Sequence, residues 1–169
     1  MRFTIETVYD QKALTAMARA LRKTIRSKRS RRSHIFGWIV TMIALLLIFN
    51  AAEFNGKSIV TGLAAITIMI TLILEDHING YVAKKRGLPG LDRALVTFHE
   101  EGYHSATPVG ASDFRYDTIL RFAGTKDYFV FVFSASHAQV YDKENLSGGT
   151  ESEFAAFITE KTGKQLEVV

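Results

Sequence analysis

Apolar residues fall along this chain in two dense blocks separated by a short polar interval. From Ile35 to Phe49 every residue is apolar, Gly or Thr, and the same holds from Ile59 to Leu74; neither block contains a charge. At a rise of about 1.5 Å per residue, with Asn50 to Phe54 and Lys57 to Ser58 added, each reaches the roughly 20 residues a bilayer core requires. The pattern predicts two transmembrane helices, about 35–54 and 57–75, with a tight turn at Glu53 to Lys57. A buried hairpin in a soluble bundle is the other arrangement that such blocks allow.

Elsewhere the period changes. In "RFTIETVY" Phe3, Ile5 and Thr7 alternate with Thr4, Glu6 and Val8, which suits a half-buried strand. In "DQKALTAMARALRKTIR" Ala13, Leu14, Met17, Ala18, Leu21 and Ile25 recur at three and four, so an amphipathic helix is predicted, lying on the membrane surface or against the soluble part. The stretch "SKRSRRSH" reads as a solvated basic lead into the first span. After the second span "EDHINGYVAKKR" continues as helix until Gly87, Pro89 and Gly90 break it. Glu75, Asp76 and His77 point in different directions there and read as a solvated helix end.

From Leu91 onward the period is two. "ALVTFHEEG" and "YHSATPV" form a pair around Gly102, "FRYDTILRFAG" and "YFVFVFS" are strands split by a "GTKD" turn, and "HAQVYD" is another strand. Thr150 and Glu153 supply a capping box for a helix with Phe154, Phe157 and Ile158 on one stripe, ending at Gly163. The fold class is thus an α+β membrane protein: a two-helix transmembrane hairpin and a small antiparallel β domain closed by a C-terminal helix. Its divisions are 1–34 (strand and basic helix), 35–86 (hairpin) and 91–169 (β domain). A core of about 79 residues is marginal, so support from the opening strand or a second copy of the chain is anticipated.

Charge gives these parts a direction. Residues 1–34 hold ten Lys/Arg against two acids, whereas residues 94–169 hold six against eleven. Arg19, Arg22, Lys23, Arg26, Lys28, Arg29, Arg31 and Arg32 precede the first span, and Lys84, Lys85 and Arg86 follow the second. By the positive-inside rule both termini are cytoplasmic, and this basic cluster faces anionic lipid. No aromatic residues interleave it, which argues against nucleic acid. The chain has no cysteine, which assigns no redox compartment.

Candidate chemistry is sparse. "HEEGYH", residues 99–104, stops one position away from a zinc-protease motif. Its histidines are five apart, so on a helix they would diverge by about 140°, with Gly102 inside the helix. His99 and His104 read instead as hairpin residues without the third and fourth ligands that zinc requires, so neither a metal nor a cofactor is assigned. No nucleophile with its base and no phosphate loop is legible.

In the order of its parts, and best over "FRYDTILRFAGTKDYFVFVFSASHAQVYDKENLSGGTESEFAAFITEKTG", the chain resembles the YcxB-like family of small two-span bacterial membrane proteins. The resemblance implies a C-terminal domain related to pleckstrin-homology folds. Where that family runs a Pro-Lys pair after its last short strand, this chain has Asp142 and Lys143. The resemblance supplies no catalytic residues.

The leading functional expectation is a non-enzymatic membrane protein whose cytoplasmic β domain binds a protein partner. An immunity protein neutralising a toxin is the second, and a small transport or channel subunit the third. The spans carry no charge, and Asn50, Thr61, Thr67 and Thr71 read as helix-packing groups. In the aromatic run Tyr128 to Phe133, Tyr128, Val130 and Val132 share one side and Phe129, Phe131 and Phe133 the other. Both sides need cover, and Phe129, Phe131 and Phe133 are the candidate partner-binding face.

Overall fold

The alternation of the opening segment is realised as a strand, β1 (Phe3–Val8), whose Phe3, Ile5 and Thr7 are fully buried while Glu6 and Val8 face out. The computed structural model describes residues 3–51, 55–88 and 90–169. Four helices follow: α1 (Gln11–Lys23), α2 (Ser27–Phe49), α3 (Gly56–Ile73) and α4 (Glu75–Arg86). Then come β2 (Arg93–Phe98), β3 (Tyr103–Thr107), β4 (Gly110–Phe114), a single 3-10 turn (Tyr116–Thr118), β5 (Arg121–Gly124), β6 (Tyr128–Val132), β7 (Ala138–Asp142) and β8 (Leu146–Ser147). The chain closes with α5 (Glu151–Thr162) and β9 (Leu166–Val168). The fold is α+β.

The strands divide between two sheets, one in the order β4-β3-β2-β1-β8 and one in the order β7-β6-β5-β9. All pairings are antiparallel except β5 with β9, which are parallel. β1 lies between β2 and β8, with Ile5 opposite both Val96 and Leu146. The β domain is therefore discontinuous: β1 and α1 pack with the strands that follow residue 91. The apolar hairpin is inserted between α1 and β2.

Between the sheets, Phe98, Phe122, Phe129, Phe131 and Tyr141 pack with Phe154 and Ile158 of α5 in one core. The rings meet largely edge to face: Phe98 and Phe154 have centroids 4.9 Å apart, and Phe131 and Tyr141 are 4.7 Å apart. Such geometry places the positive edge of one ring on the negative face of the next. The hydroxyls of Tyr103 and Tyr141 both donate to Gln139 Oε1, and burial pushes both phenols above their ordinary range. α5 begins with the capping box read from the sequence: Thr150 Oγ1 accepts from the Glu153 N–H, and the Glu153 carboxylate accepts from the Thr150 N–H at 2.7 Å. Gly163 ends it in the left-handed conformation, φ 65°, which costs glycine least.

The aromatic strand β6 is covered on both faces. Tyr128, Val130 and Val132 lie under α1, against Ala13, Ala16, Ala20 and Leu21. Phe129 and Phe131 are 1% and 0% exposed in the inter-sheet core, and Phe133 packs at its margin against Phe114. This corrects the expectation that Phe129, Phe131 and Phe133 form a partner-binding face. Burying large aromatic surface against α5 and the first sheet is worth more than leaving it for a partner.

α2 and α3 are long and apolar enough to cross a membrane, and only 11% of each apolar window is buried. The basic stretch from Ser27 to His34 is not a separate lead but the first two turns of α2. The two helices meet where Gly37 admits Leu72, whose Cδ1 would lie 2.8 Å from an added Cβ. Thr41, buried, donates to the Gly37 carbonyl. Asn50, Thr61, Thr67 and Thr71 each donate to a carbonyl four residues back in their own helix rather than across the hairpin, Thr61 half-buried and the other three exposed. Of the expected turn at Glu53 to Lys57, residues 52–54 lie outside the described residues, as does the helix breaker Pro89; Asn55 caps α3 by accepting from the Lys57 and Ser58 amides.

A fragment spanning residues 91–169 lacks both β1 and α1. It is expected to lose near-ultraviolet circular dichroism and any cooperative melting, because Val96, Phe98, Val130 and Val132 lose their cover. A monomeric fragment with a sharp transition would contradict the discontinuous domain.

Candidate functional site

Small residues bring α1 and α4 together. α1 starts at Asp10, whose carboxylate accepts from the Ala13 N–H at 2.7 Å, and it buries Ala13, Thr15, Ala16 and Ala20. α4 presents Gly80 to Thr15 so closely that a Cβ there would stand 2.4 Å from Thr15 Oγ1 and 2.8 Å from its backbone nitrogen. The helix that covers β6 is thereby also the helix that holds α4, the extension that begins one residue after α3.

One turn before Gly80, the same interface carries a charge cluster. Asp76 has a side chain 8% exposed and receives two hydrogen bonds from Arg22, Nε to Oδ1 and Nη2 to Oδ2, both 2.6 Å. Arg19 Nε lies 3.5 Å from Asp76 Oδ2. Glu75 meets His34 Nε2 at 2.6 Å, Ser30 Oγ at 3.5 Å and Arg22 Nε at 3.8 Å. The hydrogen bonds to Asp76 hold the Arg22 guanidinium more firmly protonated than usual, against some loss from burial. A bidentate fork on a desolvated carboxylate is strong and directional, and it fixes helix register as well as proximity. The cluster therefore joins three elements: α1 of the β domain, α2 at the foot of the apolar hairpin, and the α3–α4 boundary.

This corrects the reading of Glu75, Asp76 and His77 as a solvated helix end. Two of the three are engaged in the joint and only His77 is exposed. The sequence did carry a signal for it: Arg19 and Arg22 are three apart on one face of an amphipathic helix, and Glu75 and Asp76 are adjacent acids at the edge of an apolar block otherwise flanked by bases.

The predicted basic cluster is divided rather than continuous. Arg19 and Arg22 serve the joint, and Arg26 Nε donates to the Ala135 carbonyl in the β6–β7 connection. Lys23, Lys28, Arg29, Arg31 and Arg32 are exposed on α1 and the first turns of α2. Lys84, Lys85 and Arg86 sit at the far end of α4, where they oppose its C-terminal dipole, about 14 Å along the helix axis from Glu75. Lys85 lies over the Tyr81 ring, 5.9 Å from its centroid.

The histidine hairpin is also placed. His99 directly follows β2, and its N–H donates to the Gly102 carbonyl at 2.8 Å. His104 lies opposite Thr97 in β3, not opposite His99, and its Nδ1 is 2.7 Å from Asp113 Oδ1 across to β4. Among the described residues no three His, Asp or Glu side chains are grouped to hold a metal ion.

Compared with known proteins, the chain matches no family model, no curated protein and no solved structure.

The close α1–α4 contact makes a paired prediction. Gly80→Ala drives a Cβ into Thr15 backbone and is expected to lower the stability of the full chain by about 1–3 kcal/mol. Gly62→Ala, where an added Cβ finds only Ile48 Cδ1 at 3.7 Å, should be neutral or slightly stabilising. Thermal unfolding in detergent, following β-domain near-ultraviolet signal, checks both; equal effects would contradict the tight contact.

Proposed function

We propose that this chain is a non-enzymatic protein of the bacterial inner membrane, anchored by α2 and α3, whose cytoplasmic β domain presents a binding surface to a protein partner. The observation that carries the anchoring is the bare apolar hairpin: Met42, Leu46, Leu47, Phe49, Val60, Leu63 and Ile73 are each more than half exposed. A continuous apolar surface of that extent needs lipid or protein cover. The basic first turns of α2 and the exposed bases of α4 support a cytoplasmic side for both termini. Two packed sheets closed by a C-terminal helix support a pleckstrin-homology-like reading of the domain, in keeping with the YcxB-like resemblance.

With Phe129 and Phe131 buried, the partner surface shifts to the first sheet. β4 is its outer strand, paired with β3 alone, and Gly110, Ala111, Ser112 and Asp113 are exposed. Open strand edges are templates for an added strand, so the partner we propose supplies an extended segment alongside β4. The joint at Asp76 gives this edge a fixed height and heading relative to the membrane. A loosely tethered domain would have neither.

Topology is the direct test. In a chain without native cysteine, Asn55→Cys and Ser147→Cys are labelled in intact cells with a membrane-impermeant maleimide. Labelling of the Asn55 variant alone is expected; labelling of the Ser147 variant from outside, or of neither before lysis, would overturn the arrangement.

A further inference from the structure

We propose that the cavity beside the joint, between α2, α4 and the β6–β7 connection, is a binding site for the phosphate headgroup of an anionic phospholipid. The cavity has a volume of about 580 Å³, and its walls include Arg22, Arg26, Arg29, Ser33, Asn79 and Ser136. This inference rests on the membrane anchoring proposed above.

Charge and hydrogen-bonding capacity point to a phosphate. Arg22 is committed to Asp76, but Arg26 spends only its Nε, on the Ala135 carbonyl, leaving its terminal nitrogens for a ligand. Arg29 makes no ion pair or hydrogen bond among the described residues. Glu75 also lines the cavity and opposes an anion, yet its carboxylate is already engaged by His34, Ser30 and Arg22. Two arginines with free guanidinium nitrogens, Arg26 and Arg29, thus line the cavity beside one carboxylate that is already partnered. The exposed Ser33 hydroxyl and Asn79 amide add uncharged donors. Planar guanidinium forks match the geometry of phosphate oxygens and can bind them bidentately.

Height selects the lipid over a soluble phosphate. The charge-free run of α2 begins at Ile35; Ser33 lies about 3 Å and Arg29 about 9 Å before it along the axis. The headgroup layer of one leaflet is about 5–8 Å thick, so these groups stand within it or at its edge, where the arginine stem reaches the phosphate plane. The β6–β7 connection, with Ala135 and Ser136, closes the cavity from the domain side. A headgroup lodged there contacts the hairpin and the β domain together.

The test uses the full chain in detergent, with phosphatidylglycerol, phosphatidylcholine or inorganic phosphate added and retained lipid counted by native mass spectrometry. Phosphatidylglycerol is expected to be retained in preference to phosphatidylcholine. The double variant Arg26→Gln/Arg29→Gln should weaken that retention about tenfold, the scale of losing charge-assisted contacts. Arg29→Gln alone, which disturbs no contact in the fold, should account for a several-fold part of it. Lys28→Gln/Arg32→Gln removes the same charge outside the cavity and should change retention less than twofold. Equal losses from the two double variants, or no preference between the lipids, would overturn the site in favour of diffuse surface attraction. Displacement of the lipid by inorganic phosphate at matched concentration would overturn the lipid as its ligand. Carbonate extraction of membranes is read separately: release of the chain into the soluble fraction contradicts the anchoring itself, not merely the cavity.

Discussion

Asp76 is a carboxylate that the fold cannot leave alone. It stands just past the end of the apolar helix α3 with its side chain almost wholly removed from water, and a charge so placed is tolerated only when it is paired and hydrogen-bonded. Arg22 answers it with a bidentate fork, and Arg19 adds a second positive charge. Because Arg22 belongs to α1 and Asp76 to α4, neutralising this one charge settles where the β domain sits on the hairpin. Gly80 and Thr15, one turn further on, allow the two helices to approach as closely as the fork demands.

Chain order turns that local joint into a global one. The hairpin is inserted within the β domain, leaving it through α1 and re-entering it through β2, so both connections pass the same interface. α1 is used twice over, with its alanines and Leu21 on β6 and its Thr15, Arg19 and Arg22 toward α4. The aromatic strand β6 needs that cover as much as α4 needs its arginines. A loss at the joint therefore propagates into the core of the domain, through a helix that has no other place to go.

Much of this was legible in the sequence wherever a single period governed a segment. The two charge-free blocks, the alternation of Phe3, Ile5 and Thr7, the "GTKD" hairpin and the Thr150–Glu153 box each became the element they imply, because local hydrogen bonding and one buried face decide them. The two halves of the charge joint were legible, as paired arginines on one helix face and adjacent acids at the edge of an apolar block, but their meeting was not, since nothing in the spacing of Glu75 and Asp76 says that Arg19 and Arg22, more than fifty residues away, will reach them. Phe129, Phe131 and Phe133 were misassigned for a related reason. An aromatic stripe on a strand announces that it needs cover, but whether a helix, a second sheet or a partner supplies it depends on topology: here β1, inserted between β2 and β8, completes the sheet that buries it. The strands β8 and β9, two and three residues long, carry too few positions for any period to register.

The Arg22–Asp76 pair holds the hairpin and the β domain as one body, and a double-mutant cycle measures that coupling. Arg22→Met, Asp76→Leu and the combined variant are unfolded in detergent in the full chain, with the near-ultraviolet signal of the β domain as the readout. Each single change should cost about 3–5 kcal/mol by stranding its partner's charge, and the double variant should recover a large share, giving a coupling of at least about 2 kcal/mol. Single effects that add to within about 0.5 kcal/mol would show two independent surface charges and would contradict the account.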